Sequence, residues 1–266
     1  MNQTPIIQID DINDQRVAKF ALRRDVQLRP FEEMVVDSEK VVQRAIKHGI
    51  AIRAVLATEA HYRRNWELLR NLPDCQLFQT STQIMQQIVG HRIHQGIMAL
   101  ADRPSQPCIG DLHGNLVFMD HITDTQNVGA IIRCCHAFGY GGVVLNHNSC
   151  SPFVRRSIRV SMGSVFSVPI HHGEDRITLA TQLKDRGYTL IAAGRWANSQ
   201  AMSDIQLRGP FCLIIGNEDQ GVHPELLELC DFRVEIDMAD GIDSLNAAVA
   251  AGVLLHGLRE QHRLHQ

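Results

Sequence analysis

GIDSLNAAVAAG, residues 241–252, begins with polar Asp243, Ser244 and Asn246 and then runs through small apolar residues into VLLHGL. Asp243 or Ser244 is placed to cap a helix that continues to about residue 262. A core helix ordinarily fills such positions with Leu and Ile. An Asn followed by Ala and Gly leaves two readings. Either another segment packs very closely against this helix, or a ligand sits at its open end.

Working back from that helix, apolar strands alternate with helices. FRVEID (232–237) reads as a strand, ELLELC (225–230) as a helix, and PFCLIIGNEDQG (210–221) as a strand that stops at a glycine turn. YTLIAAG (188–194) is a strand, ITLATQLKDRG (177–187) an amphipathic helix, and PFVRRSIRVSMGS (152–164) a helix ending in a turn. GVVL (142–145) is a strand, a helix covers about 127–138, and NLVFMD (115–120) is the first strand of the unit. Such alternation gives an α/β fold with a mostly parallel sheet covered on both faces.

Upstream, 31–103 reads as a smaller α/β unit, with strands at AIRAVLA (51–57), CQLFQT (75–80) and GIMALA (96–101) and helices at HYRRNWELLRNL (61–72) and TQIMQQIV (82–89). Residues 104–114, rich in Pro and Gly, read as a linker to the unit over 115–266. Residues 1–30 read as a polar N-terminal extension. In it Arg16, Lys19 and Arg23 share a helix face beside Arg24. A solvated face is the ordinary reading of that pattern, and an RNA-facing arm is the sharper one.

The totals set limits. The chain has 266 residues, 44% of them hydrophobic, enough for two packed units. A formal charge of −3 means that any basic surface is local. The odd count of 7 cysteines, with no CxxC pair, fits reduced thiols in a cytoplasmic protein better than a disulfide framework or a zinc site. No signal peptide or membrane span is expected. HRIH (91–94) and the pair His171 and His172 lack a third ligand at a recognisable spacing, so no metal is expected.

In open α/β sheets, ligands bind outside the carboxyl ends of strands, and three turns of the second unit place polar residues there. In DHITDTQNVGAIIRCCHAFG (120–139), Asn127 stands at a helix start and Arg133 six residues on, in an otherwise apolar segment. A buried Arg needs an anionic partner, and taken alone this one reads as half of a structural salt bridge. In LIIGNEDQG (213–221), Gly216 ends the strand and Glu218 follows it. Taken alone, that is equally an ordinary strand–helix turn. The third turn is IDMADGIDSLNAAVAAG (236–252). A dinucleotide site is excluded, because the glycines of FGYGG (138–142) follow a helix and precede a strand, the reverse of the required order. P-loop and GxSxG sequences are absent.

Together, NVGAIIR (127–133), LIIGNEDQG and SLNAAVAAG closely resemble the three signature motifs of the SpoU (TrmH-like) RNA 2′-O-ribose methyltransferases of the SPOUT superfamily, in family order over about 115–262. The unit before them is similar to the L30e-like domain that often precedes this catalytic domain. The resemblance implies a deep trefoil knot, a homodimer, and S-adenosylmethionine held by Gly216, Ile236, Met238 and Leu245. It implies methyl transfer to a ribose 2′-hydroxyl of rRNA or tRNA. Arg133 is then the catalytic group, with Asn127, Glu218, Ser244 and Asn246 orienting it and the ribose. Arg155, Arg156 and Arg159 form a local patch for RNA phosphates. The sequence departs from the family pattern at Thr125, Asn217, Asp219, Asp237 and Asp240, none of them a presumed catalytic residue. The alternative of another class is a non-catalytic RNA-binding or ribosome-assembly factor on the same fold.

Overall fold

A computed structural model of the chain describes residues 5–22, 25–28, 31–89, 96–242 and 244–264. In chain order the first elements are β1 (Ile6–Ile9), α1 (Asp25–Leu28), β2 (Glu33–Asp37), α2 (Glu39–Lys47) and β3 (Ile52–Ala57). Next come α3 (Glu59–Leu69), β4 (Gln76–Thr80), α4 (Thr82–Val89) and β5 (Ile97–Asp102). They are followed by β6 (Leu116–Met119), α5 (Thr125–Phe138), β7 (Gly142–Leu145), α6 (Arg155–Val160) and β8 (Ile170–His172). The chain then forms α7 (Arg176–Asp185), β9 (Thr189–Ala193), β10 (Gln200–Ala201) and β11 (Phe211–Ile215). It ends with α8 (Pro224–Glu228), β12 (Phe232–Glu235) and α9 (Ala247–Leu264).

These elements form two compact units. The first comprises Met1–Ser105 together with Phe153–Phe166. Its sheet runs in the order β1-β4-β3-β5-β2, with β1, β4 and β3 parallel and β5 antiparallel to both neighbours. Ile9, Val17 and Phe20 join Leu56, Phe78 and Met98 in its core, so the packing has no break at residue 30. The segment Gln15–Ala21 is a 3-10 helix. On it Lys19 pairs with Glu33 at 2.6 Å instead of facing outward, while Arg23 and Arg24 lie outside the described residues.

Helix α6 belongs to this first unit because of a charge. Asp37, at the end of β2, is 4% exposed. The Arg155 guanidinium reaches its Oδ2 through Nε at 3.1 Å and Nη2 at 2.9 Å, and Arg159 lies 3.7 Å away. A buried carboxylate without such a partner would be costly. The chain thus leaves the second unit after β7 and returns to it by β8, which a single division near residue 104 does not capture.

The second unit comprises Gln106–Pro152 and Ser167–Gln266. Its seven strands are all parallel, in the order β10-β12-β9-β11-β6-β7-β8. The order reverses direction between β6 and β11, which opens a crevice beyond their carboxyl ends. Leu116, Phe118, Leu179, Leu190, Ile214 and Leu226 pack one core over this sheet.

Helix α9 lies directly on α5. A Cβ built on Gly252 would sit 3.6 Å from Cys134 Sγ, Ala251 is fully buried, and the Tyr140 hydroxyl donates to the Leu255 carbonyl at 3.0 Å. Ala251 and Gly252 therefore serve close packing at this contact. No helix among the described residues is long and apolar enough to cross a membrane.

Candidate active site

Each of the three turns is built by its own local logic. At the first, Asp124 caps α5 by accepting from Gln126 N at 2.8 Å, which places buried Asn127 in the first turn. The second is a closed loop after β11. Asn217 and Gly221 exchange two main-chain hydrogen bonds at 3.0 and 2.9 Å. A Cβ on Gly216 would fall 2.2 Å from the Gly221 carbonyl carbon, so only glycine fits there. Asn217 holds the loop from within: Oδ1 accepts from Asp219 N and Gln220 N at 3.0 and 3.1 Å, and Nδ2 donates to the His121 carbonyl at 2.9 Å. The departure from the family pattern at 217 is thus a residue that fixes this loop. At the third turn the cap is Asn246, whose Oδ1 accepts from Ala248 N at 2.9 Å and Val249 N at 3.3 Å. Ser244 does not cap the helix, and Asp243 lies outside the described residues.

These turns converge on one hydrogen-bonded chain. Asn127 Nδ2 donates to Glu218 Oε1 at 2.9 Å, and Asn246 Nδ2 donates to Asn127 Oδ1 at 3.0 Å. The Asp124 amide also approaches Glu218 Oε1 at 3.4 Å. Behind it, Asp120 is 1% exposed and accepts from Asn146 Nδ2 at 2.7 Å and His223 N at 3.2 Å, with Arg176 Nε at 3.1 Å. That buried carboxylate ties the end of β6 to the residue after β7 and to the starts of α7 and α8.

Beside the chain lies a cavity of about 380 Å³. Gly216, Glu218, Ile236, Met238, Ser244 and Leu245 all line it. The four residues expected to hold a cofactor and two of those expected to orient the chemistry thus share one wall. Sequence reasoning missed Arg195 and Trp196, which line the same cavity after β9, and the anchors Asp120 and Asn217. Arg195 follows a strand end, and that position was the available signal.

Arg133 is placed differently from expectation. It is exposed on α5 and makes no hydrogen bond or ion pair among the described residues, so the structural salt bridge is not formed. Arg155 and Arg159 lie in the first unit on Asp37, and Arg156 is exposed there. HRIH (91–94) lies outside the described residues. His171 is engaged by the Pro107 carbonyl at 3.0 Å and Glu174 at 2.9 Å. Burial pushes the Cys134 thiol above its ordinary range, and buried Tyr140 is raised likewise. Neither offers an ionised nucleophile at neutral pH.

The family model described as the SpoU rRNA methylase family matches residues 114–256. The chain belongs to that family. Residues 3–115 match the N-terminal domain of thiostrepton-resistance methylases. An uncharacterized tRNA/rRNA methyltransferase of Archaeoglobus fulgidus is 34% identical over 146 residues, covering 55% of this chain and 64% of that protein. Another, from Mycobacterium tuberculosis, is 26% identical over 92% of this chain and 89% of that protein. Among solved structures, the AdoMet-bound rRNA methyltransferase of Sinorhizobium meliloti superposes with a TM-score of 0.84 at 22% identity. The match spans 96% of this chain and 98% of that one, and at this identity it shows the shared α/β fold.

Proposed function

We propose that this protein methylates the 2′-hydroxyl of a ribose in rRNA or tRNA, with S-adenosylmethionine as donor. The observation that carries this reading is the Asn246–Asn127–Glu218 chain, whose Glu218 lines a ligand-sized cavity. Its volume of about 380 Å³ falls within the range of small-molecule sites, about 300–1,000 Å³. Its chemistry fits the donor. Ile236, Met238 and Leu245 offer apolar surface, and Glu218, Asp219 and Glu235 offer carboxylates to a cationic ligand. The family, the relatives' tRNA/rRNA names and the AdoMet held by the Sinorhizobium structure support the same donor. We also assign a knotted backbone to the segments around the cavity, by resemblance.

Bound there, the donor supplies a methyl group on a sulfonium centre. The protein's work is to position the hydroxyl and find a place for its proton. Glu218 is held on Oε1 by Asn127 at 2.9 Å and on Oε2 by Asn217 Nδ2 at 3.5 Å, and its carboxylate serves as an orienting acceptor for the ribose. Arg133 clamps a backbone phosphate as a bidentate donor. A guanidinium does not give up its proton, so phosphate or water receives the one that leaves the hydroxyl. Ser244 orients the ribose. RNA is the substrate because only RNA offers a 2′-hydroxyl. Exposed Arg156 and Arg159 contact further phosphates, and the protein acts in the cytoplasm.

A dimer completes this site. Six residues carry Arg133 about 240° around α5 from Asn127, away from the hydrogen-bonded chain. Leu245, just before α9, and Val249 and Val253 on it are 37%, 53% and 43% exposed at a spacing of four, an apolar strip suited to a second copy. In this reading each Arg133 serves the partner's site.

The test is incubation of purified protein with methyl-labelled S-adenosylmethionine and unmodified tRNA or rRNA, with Arg133→Ala as control. Label on one RNA class, alkali-resistant and at least about 100-fold lower in the variant, is expected for loss of a positioned phosphate clamp. No label and no donor binding would overturn the enzyme reading in favour of an RNA-binding factor.

A further inference from the structure

Among the described residues that line the cavity, Arg195 is the single cation, set against the carboxylates of Glu218, Asp219 and Glu235. Its backbone is fixed. Gly194 N donates to the Val234 carbonyl at 2.9 Å, Trp196 N donates to Ser199 Oγ at 2.8 Å, and Ser199 N donates to the Trp196 carbonyl at 3.0 Å. The Trp196 ring covers Gly194 so closely that a Cβ there would lie 2.5 Å from it. This tight turn holds Arg195 at the cavity rim, yet its guanidinium makes no hydrogen bond or ion pair among the described residues.

An unpaired guanidinium is out of place in a pocket for a simple cation. S-adenosylmethionine is not a simple cation: it carries a sulfonium, an ammonium and one carboxylate. The three acidic residues suit the first two groups. Arg195 repels both and suits only the third, through its planar pair of donors. We infer that Arg195 binds the α-carboxylate of the methionine moiety, and so selects donors that retain it. The assignment rests on the cavity being the S-adenosylmethionine site.

Titration calorimetry of the full chain with S-adenosylmethionine and with its decarboxylated form tests it. The wild-type protein should bind the carboxylated compound about tenfold more tightly, the worth of one charge-assisted hydrogen-bonded pair at an open rim. Arg195→Ala should lose that preference by weakening the carboxylated compound alone. Binding of the decarboxylated compound at least as tight as in the wild type shows that the variant is folded, and Arg195→Lys should keep part of the preference. Equal affinity of wild type and Arg195→Ala for S-adenosylmethionine overturns the assignment alone. So does a variant that loses only RNA binding, which would make Arg195 a phosphate contact. A wild-type protein that binds neither compound overturns this assignment together with the reading beneath it.

Discussion

At the scale of the residue, Asn246 shows how little freedom the site leaves. Its oxygen caps α9 through Ala248 N and Val249 N, and its nitrogen donates to Asn127, whose own nitrogen is committed to Glu218. Neither amide can flip without turning a donor toward a donor or an acceptor toward an acceptor. Asp at 246 keeps the cap and removes the donor, whereas Ala removes both. Asn246→Asp keeps the cap but turns an acceptor toward Asn127 Oδ1, so it should lose less stability than Asn246→Ala while methyl transfer falls by about tenfold or more. Asn246→Ala should lose the activity and about 1 kcal/mol of stability as well. Thermal melts and initial rates on the two variants separate the roles. Wild-type activity in Asn246→Asp would show that the donated hydrogen bond plays no part.

Among the elements, the alternation of apolar strands and amphipathic helices made the second unit legible. GVVL is a strand at the expected residues, and the helices over 82–89 and 176–185 fall where periodicity puts them. What was not legible depends on partners distant in sequence. β1 is only four residues long and is a strand because it pairs with β4, some 70 residues on. Helix α6 reads as a basic patch because the carboxylate that claims Arg155 lies 118 residues earlier. No local pattern encodes either pairing. The Asp37–Arg155 pair should matter for stability, since the two side chains are 6% and 14% exposed. Asp37→Ala strands a mostly buried guanidinium. Allowing for its remaining exposure, the expected loss is about 2–4 kcal/mol, read as a lower urea midpoint at unchanged slope. Arg155→Met in the same background should recover much of it by removing the orphaned charge. A double variant no more stable than Asp37→Ala would show that packing at Asp37, not charge, sets the loss.

For the whole molecule, the three motifs announced which residues meet, and Asn127, Glu218 and Asn246 do meet within one chain. The motifs did not announce that Arg133 stands apart on the exposed side of α5, because a spacing of six residues says nothing about which copy of a chain a side chain serves. A dimer in which each Arg133 reaches the partner's site makes a quantitative prediction. Arg133→Ala and Asn127→Ala should each abolish activity alone. Mixed in equal amounts under conditions that exchange subunits, half of the dimers become heterodimers. In each of these one site has both an intact Asn127 and an intact incoming Arg133, while the other has neither. Activity should return to roughly a quarter of the wild-type rate, because half of the dimers have half of their sites working. If Arg133 instead served its own chain, both sites of every heterodimer would stay broken. The mixture would then remain as inactive as its components, although sedimentation would still report a dimer.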